Sequence, residues 1–299
     1  HFPEVNISQL KIKIMNISSI IRDIFLLGVF ISLSFSVYSQ QKAKNIILLI
    51  ADGTGVSQIS AGMYAKDDFT FNYERFRSIG FHKQHSSSNL ITDSAAGATA
   101  FACGVKTFNY AVGVDKDTVA VKTILEEAEE RGLSTGMVAT STIVHATPAS
   151  FISHVKYRKM YEEIAEDFLE TDIDYFVGGG MKFFTRREND NRNIANELVN
   201  KGYTVKSFLD KEISEMDLDV DKFAYFTADK DPLPRFQGRD YLIPASMKGI
   251  DFLSEKNDNG FFMMLEGSQI DWGGHANNGE WLVDEMKEFD DLVGKVLDW

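Results

Sequence analysis

Residues 45–51, with the sequence NIILLIA, form a run that is apolar at every position after Asn45 and is followed at once by Asp52 and Gly53. A short run that is apolar at every position is typical of a strand buried on both faces of a parallel sheet. Further short apolar runs lie at 135–139, 175–177 and 261–265, and helix-like stretches lie at 121–131, 160–169 and 193–200. This alternation predicts an α/β fold with helices on both faces of a mostly parallel central sheet. In such folds, ligands bind at the carboxyl ends of the strands.

The composition is that of a globular protein. The chain has 299 residues, 44% of them apolar, with 31 Lys and Arg against 44 Asp and Glu and a formal net charge of −13. Because nucleic-acid affinity depends mainly on basic side chains that neutralise phosphates, this balance argues against nucleic-acid binding. The single cysteine, Cys103, excludes an internal disulfide and a cysteine-rich metal site.

The amino-terminal residues 1–39 are interpreted as an extension followed by an export signal. Residues 24–37 are apolar, a run too short to span a membrane but typical of the core of a signal peptide. Small residues at Val37 and Ser39 favour cleavage before Gln40. We therefore expect an exported protein, periplasmic or extracellular, with no stable membrane span after signal removal. An uncleaved membrane anchor is the alternative.

The carboxyl-terminal residues predict an amphipathic helix. From Glu280 onward, apolar residues recur at helical spacing and acidic residues occupy the opposite face. The sequence reaches Trp299 without the glycine or proline that usually ends a helix. We expect residues 40–299 to form one domain that is incomplete at its carboxyl terminus. Within it, residues 182–245 are rich in charge and loops, and are interpreted as an insertion over the sheet.

Asp52 stands directly after the first predicted strand, where the neighbouring Gly53 and Gly55 let the backbone approach a ligand. A carboxylate at the carboxyl end of a parallel strand is well placed to contact a bound group. The alternative is an acidic residue in an ordinary glycine-rich turn.

Ser94 opens a run of small residues, Ser-Ala-Ala-Gly-Ala-Thr-Ala, that indicates the start of a helix. One interpretation is that Ser94 caps this helix. The other is that it is a nucleophile held at a helix amino terminus, where the dipole and free N–H groups favour a phosphate. No G-x-S-x-G motif and no obvious histidine base accompany the serine, so metal coordination would be the means of activating it.

His145 and Thr147 follow the strand predicted at 135–139, with Arg158 further along. On a loop, the first two could bind or orient a hard metal ion and its waters, and the arginine could bind a phosphate through its fork of N–H groups. The alternative is an ordinary loop histidine and an ordinary surface arginine.

The most informative group follows the apolar run 261–265. Glu266 ends the predicted strand, and Asp271 and His275 are four residues apart across two glycines. This spacing predicts oxygen and nitrogen ligands on one glycine-rich loop. Such a mixture suits zinc together with a hard cation.

These motifs resemble those of bacterial alkaline phosphatase, in the same order over residues 45–299. The resemblance rests on Asp52-Gly53-x-Gly55, Thr92-Asp93-Ser94-Ala95-Ala96, His145-x-Thr147-Pro148 with Arg158, and Glu266-x4-Asp271-x3-His275. It implies the three-layer α/β/α sandwich of that superfamily, with residues 40–299 as the catalytic domain. It also implies the hydrolysis of small-molecule phosphate monoesters with two Zn²⁺ and one Mg²⁺.

The resemblance implies roles for individual residues of the site. Ser94 would be the nucleophile that forms a phosphoserine intermediate, and Arg158 would bind the substrate phosphate. Two zinc ions would stabilise the attacking and leaving oxygens, which explains why no catalytic histidine accompanies the serine. The implied metal site comprises Asp52, Ser94, His145, Thr147, Glu266, Asp271 and His275.

Within that metal site, the implied ligand sets differ. Asp52 would bridge one zinc ion and the magnesium ion, and Thr147 and Glu266 would complete the protein ligands of magnesium. Asp271 and His275 would hold the other zinc ion.

The chain also departs from the family pattern. The family supplies three more zinc ligands, an adjacent Asp-His pair and a later histidine, and none follows His275. The resemblance therefore predicts that this chain holds only half of each zinc site. His145 and Trp272 stand where other members have different residues, which puts metal preference and turnover in question.

Other functions remain as alternatives. A sister activity of the superfamily, phosphodiesterase or sulfatase-like, is the nearest, although the C/S-x-P-S-R-type motif of sulfatases is absent. A metal- or phosphate-binding protein without catalysis is another. Since relatives of this family are often dimers, a homodimer is also expected.

Overall fold

The structure is a computed structural model that describes Arg22 and residues 43–299. The apolar run at 24–37 and the expected cleavage site before Gln40 lie outside the described residues. None of the helices in the described part has both the length and the apolar character that crossing a bilayer requires.

Six strands form one sheet in which every neighbouring pair is parallel. The spatial order is β1-β6-β2-β3-β5-β4. The strands are β1 (Ile46–Ala51), β2 (Ser134–Thr142), β3 (Tyr175–Gly179), β4 (Tyr203–Ser207), β5 (Lys222–Phe226) and β6 (Phe261–Gly267). The predicted parallel sheet is confirmed, and the four apolar runs identified in the sequence all lie in strands of it.

α-Helices connect consecutive strands, except between β4 and β5, where the connection contains only a short 3-10 helix, Ile213–Glu215. The α-helices in the described residues are α1 (Val56–Tyr64), α2 (Ser94–Cys103), α3 (Ile124–Glu130), α4 (Ala146–Ala149), α5 (Tyr161–Asp167), α6 (Met181–Thr185), α7 (Ile194–Asn200), α8 (Leu242–Lys256), α9 (Gln269–His275) and α10 (Gly279–Asp298). The helices predicted at 121–131, 160–169 and 193–200 are confirmed as α3, α5 and α7.

Two hydrophobic clusters cover the two faces of the sheet. In β6, Phe262 and Met264 pack into the cluster formed with α2 to α7, whereas Met263 and Leu265 pack into the cluster formed with α8 and α10. Because successive side chains of a strand point to opposite faces, a strand between two such layers must be apolar at every position. The α/β/α sandwich is therefore confirmed.

The interpretation of residues 182–245 as an insertion over the sheet is wrong. This segment contains β4 and β5, which pair with each other and with β3 and extend the same sheet by two strands. The sequence of β4, YTVKS, carries polar residues because the strand lies at an edge. Its apolar signal is weaker than that of a central strand for this reason.

The predicted carboxyl-terminal helix is confirmed as α10. The side chain of Asn278 accepts a hydrogen bond from the backbone N–H of Trp281 at 3.1 Å and caps its first turn. Met286, Phe289 and Val293 form its buried face. This face fixes α10 against the sheet on the side of α8.

Candidate active site

The polar residues singled out in the sequence meet at the carboxyl edge of the sheet. Asp52 follows β1, Glu266 is the next-to-last residue of the neighbouring β6, and His145 follows β2. A cavity of about 1160 Å³ opens at this edge. Its lining includes seven of the predicted site residues: Asp52, Ser94, His145, Thr147, Arg158, Asp271 and His275. Glu266, the eighth, is completely buried.

Ser94 is the first residue of α2, and its hydroxyl donates a hydrogen bond to Asp52 Oδ2 at 2.9 Å. The helix is capped instead by Asp93, whose Oδ1 accepts from the backbone N–H of Ala96 at 3.1 Å and of Tyr110 at 3.0 Å. The N-cap interpretation of Ser94 is therefore wrong. Because Asp93 caps the helix, the Ser94 hydroxyl is free to face the cavity from a helix amino terminus.

Gly53 allows two carboxylates to approach each other. Its φ is +68°, and a Cβ at this position would lie 2.6 Å from Asp271 Oδ1. Any other residue would clash there and adopt a strained backbone. The turn after β1 is thus shaped to bring Asp52 and Asp271 into one cavity.

Arg158 is held by groups on two other elements. Its Nη1 donates to Asp93 Oδ2 at 2.9 Å, and its Nη2 lies 3.1 Å from His145 Nε2. The same aspartate therefore caps the helix of Ser94 and orients Arg158. Asp93 is not among the predicted site residues, although an aspartate just before a run of helix formers is a recognisable N-cap signal.

His145 lies in the connection after β2, directly before the short helix α4, and its side chain makes no capping hydrogen bond to that helix. Burial, and then the positive charge of Arg158, lower its pKa to about 3, so the ring is neutral. A neutral ring can accept from Arg158 only if Nδ1 carries the proton, and Nδ1 is buried without a partner among the described residues. The ring also contacts Trp272 edge-on, with centroids 5.6 Å apart. In this structure His145 orients Arg158.

Glu266 is buried with few compensating donors. Its Oε2 accepts from the hydroxyl of Ser268 at 2.6 Å, and its Oε1 has no hydrogen-bond partner of ordinary geometry in the described part of the chain. Burial, and then the charge of Asp52, raise the pKa of Glu266. Thr147 lies beside the same carboxyl group. Ser268 was missed in the sequence, where a lone serine after a strand gives no signal.

Asp52 and Asp271, like Glu266, lie in surroundings that disfavour their ionised form. Burial, and then the charge of Asp271, raise the pKa of Asp52, and burial raises the pKa of Asp271 as well. Carboxylates that repel one another in a buried site are stabilised by a bound cation. The orphaned Oε1 of Glu266 is a donor atom of the kind that a hard cation takes. The oxygen-rich set of Asp52, Glu266 and Thr147 therefore fits magnesium.

Asp271 and His275 lie on the helix α9, so the expectation of a glycine-rich loop is wrong. Their four-residue spacing places both on one helix face, with His275 Nε2 3.5 Å from Asp271 Oδ2. Of the two glycines between them, Gly273 is required for packing, because a Cβ on it would lie 2.7 Å from the backbone N of Leu282. One nitrogen and one oxygen donor of this kind fit zinc.

Across residues 43–299, no three His, Cys, Asp or Glu side chains form a group that could hold a metal ion by themselves. The aspartate and histidine of α9 are a pair, and the acidic pair Asp52 and Glu266 is completed by a hydroxyl. Any metal bound here would take further ligands besides these side chains.

Comparison with known proteins gives matches over almost all of the described chain. A family model described as alkaline phosphatase matches residues 43–232 and 237–299. The solved structure of alkaline phosphatase from the Antarctic bacterium TAB5 is 46% identical, with a TM-score of 0.81 over 85% of this chain and 74% of that chain. A solved variant of the TAB5 enzyme with magnesium bound is 45% identical, also with a TM-score of 0.81, over 85% of this chain and 73% of that chain.

A curated relative is alkaline phosphatase 3 of Bacillus subtilis, which is 37% identical over 279 residues. The match covers 87% of this chain and 58% of that protein, so the chain spans less than two thirds of this relative's length. The family model and the identity to solved and curated alkaline phosphatases agree with the site geometry. The chain belongs to the alkaline phosphatase family.

Proposed function

We propose that this protein hydrolyses phosphate monoesters, with Ser94 as the nucleophile. The observation that carries the proposal is the 2.9 Å hydrogen bond from the Ser94 hydroxyl to Asp52, made at the amino terminus of α2 inside the cavity that Arg158 also lines. A phosphate placed against Ser94 meets the positive end of the helix dipole and the guanidinium together.

Each residue has a distinct task in this reaction. Arg158 binds two phosphate oxygens through its planar fork, and Asp93 and His145 hold that fork in place. Asp52 fixes the position of the Ser94 hydroxyl. The serine oxygen forms a bond to phosphorus as the ester P–O bond breaks, and the alcohol leaves with a proton. Water then splits the phosphoserine and releases inorganic phosphate.

We further propose that the site works with bound metal ions. Asp52, Thr147 and Glu266 would hold magnesium, and Asp52, Asp271 and His275 would contribute to binding two zinc ions. When bound, these ions supply Lewis-acid stabilisation of the attacking and leaving oxygens and activate the serine and water. The raised pKa values of the three carboxyl groups and the unpartnered Glu266 oxygen support this assignment. Magnesium bound in the TAB5 variant supports it too.

Hydrolysis of p-nitrophenyl phosphate at alkaline pH by the full-length protein, with zinc and magnesium added, tests the proposal. We expect Ser94→Ala to abolish turnover, because no other group can form the phosphoserine. Ser254→Ala is the matched control, since its hydroxyl bonds only the Asp251 carbonyl on α8 and the variant keeps full activity.

A second readout separates the mechanism from the fold. Acid quenching during turnover should leave phosphate on the peptide that contains Ser94, detected by mass spectrometry. Undiminished hydrolysis by Ser94→Ala would refute the nucleophile assignment. Turnover of a phosphodiester or a sulfate ester in preference to the monoester would instead identify a sister activity of the superfamily.

A further inference from the structure

Tyr110 has a backbone conformation that bulky side chains rarely adopt. Its φ is +76°, in the left-handed region that glycine and asparagine favour. In the part of the chain that the structure describes, the other non-glycine residues with positive φ are Phe69, Thr118 and Asn277. Of these four residues, Tyr110 alone lines the cavity of the candidate active site. Because residues in such strained conformations are concentrated at functional sites, Tyr110 is a candidate for a role in that cavity.

The backbone of Tyr110 is held by two residues next to the proposed phosphate position. Its N–H donates to Asp93 Oδ1 at 3.0 Å, and its C=O accepts from the backbone N–H of Arg158 at 2.8 Å. Asp93 also binds the guanidinium of Arg158. These hydrogen bonds offset the strain of the left-handed conformation, and they fix Tyr110 beside the group that would bind phosphate.

The side chain of Tyr110 is supported by a neighbouring ring and remains available to a ligand. It contacts the Tyr157 ring edge-on, with centroids 6.0 Å apart and an interplanar angle of 66°. This arrangement is favourable for two aromatic rings, so it restrains the position of the Tyr110 ring. Yet 53% of the residue is exposed to solvent. Tyr110 therefore presents a restrained aromatic surface at the wall of the cavity.

We propose that Tyr110 determines substrate specificity by contacting the organic group of the substrate, and that it favours phosphate monoesters of aromatic alcohols. The inference rests on the proposed hydrolysis, in which Arg158 binds the phosphate. The cavity of about 1160 Å³ has room for much more than a phosphate, so the esterified alcohol fits in it as well. An aromatic ring next to the phosphate position contacts a planar aromatic group over a larger area than it contacts a short alkyl group.

Hydrolysis of phenyl phosphate and of ethyl phosphate by the full-length protein, with zinc and magnesium added, tests the inference. Tyr110→Asn removes the ring and introduces a residue that accepts positive φ. We expect kcat/KM for phenyl phosphate to fall about 3–10-fold more than kcat/KM for ethyl phosphate, which is the range expected for one aromatic contact. Tyr110→Phe keeps the ring and should retain the preference. Equal changes for the two substrates in Tyr110→Asn would overturn the inference.

Phe69 provides a matched control. Its φ is +54°, it is 58% exposed, and its ring lies edge-on to that of Tyr64 at 6.2 Å. It does not line the cavity. Phe69→Asn therefore removes the same kind of ring and the same kind of strain outside the site, and it should leave the ratio of the two kcat/KM values unchanged. A change in this ratio as large as that in Tyr110→Asn would show that the loss of an aromatic pair, and not the loss of a contact with substrate, causes the effect.

Binding of non-hydrolysable phosphonates separates this inference from the proposed function. Calorimetric titration with phenylphosphonate and with methylphosphonate measures contact with the organic group without turnover. We expect Tyr110→Asn to weaken phenylphosphonate binding about 3–10-fold more than methylphosphonate binding. If that difference appears in a protein that hydrolyses no ester, the role of Tyr110 stands and the proposed hydrolysis is wrong. If hydrolysis is intact and binding of the two phosphonates changes equally, the role of Tyr110 is wrong.

Discussion

Asp290 and Glu266 are both completely buried, but they lie in different surroundings. Asp290 on α10 binds Lys66 at 2.6 Å and accepts from Asn72 and from the backbone of Tyr73. Glu266 at the end of β6 has a single hydroxyl donor and a second carboxylate, Asp52, nearby. The first group forms an ion pair with a lysine, whereas the second forms no ion pair among the described residues. We therefore expect the buried Asp290 to serve the stability of the fold and the buried Glu266 to serve the proposed metal site.

The comparison predicts that neutralising Asp290 costs stability. Asp290→Asn should lower the free energy of unfolding by ~2–3 kcal/mol, because it removes the charge that compensates Lys66 and ties α10 to the segment after α1. Urea denaturation measures the change. Activity per folded molecule should stay the same.

Asp291 provides a matched control for this variant. It contacts the same Lys66 at 3.2 Å, but its side chain is exposed to solvent. An exposed ion pair contributes little, so Asp291→Asn should cost less than ~0.5 kcal/mol. Equal losses in the two variants would show that burial does not distinguish the pairs.

The opposite pattern is expected at Glu266. Glu266→Gln should weaken magnesium binding on the order of 10–100-fold and lower turnover with it, because it removes a metal-binding oxygen. In chelator-treated protein at pH 9 the same change should leave the melting temperature unchanged or raise it, since burial raises the pKa of Glu266 to about 8 and a repelling buried charge is removed only where the carboxyl is ionised. Calorimetric titration with Mg²⁺ and thermal unfolding measure the two effects.

Two results would contradict the prediction for Glu266. Unchanged magnesium affinity in Glu266→Gln would show that the carboxylate does not bind the metal. If metal-free Glu266→Gln loses as much stability as Asp290→Asn, then Glu266 serves to stabilise the fold. Glu255→Gln, at an exposed position on α8, should change neither quantity and serves as the control.

The surroundings of each strand and side chain also explain which features could be predicted from the sequence. Runs such as NIILLIA identify β1 because strands buried on both faces are apolar throughout, and Asp52 and Glu266 follow from their places at strand ends. β4 was missed because an edge strand has mixed polarity. The partners that decide each residue's role, such as His145 for Arg158, come from distant parts of the chain and require the fold.

The helix α9 shows a further limit. Two adjacent glycines between Asp271 and His275 suggested a loop, because glycine disfavours helices. In the structure Gly273 packs against the backbone of Leu282, so tertiary contact overrides the local preference. The four-residue spacing brings the two side chains together as predicted, but they lie on a helix and not on a loop.

The smallest effect is expected at a third carboxylate, which is only partly buried. Glu126 and His154 are partly buried and form a 3.0 Å contact. The hydrogen bond that His154 donates to Glu126 raises the pKa of His154 above its usual 6.5, although burial opposes this shift. Burial would raise the pKa of Glu126, but the bond with His154 lowers it below its usual 4.5.

The signs of these shifts define a pH window for the pair. The contribution of His154 to stability is complete below pH 6.5 and is lost as pH rises through the raised pKa of the folded protein. The contribution of Glu126 is complete above pH 4.5 and is lost as pH falls through its lowered pKa. Both are therefore present between pH 4.5 and 6.5, where His154→Gln should cost ~0.5–1 kcal/mol and then less at pH 9. Urea denaturation of His154→Gln and the unmodified protein at pH 5.5 and pH 9 measures the loss of unfolding free energy at each pH. A loss that is as large at pH 9 as at pH 5.5 would show that His154 stabilises by packing and that its charge adds nothing.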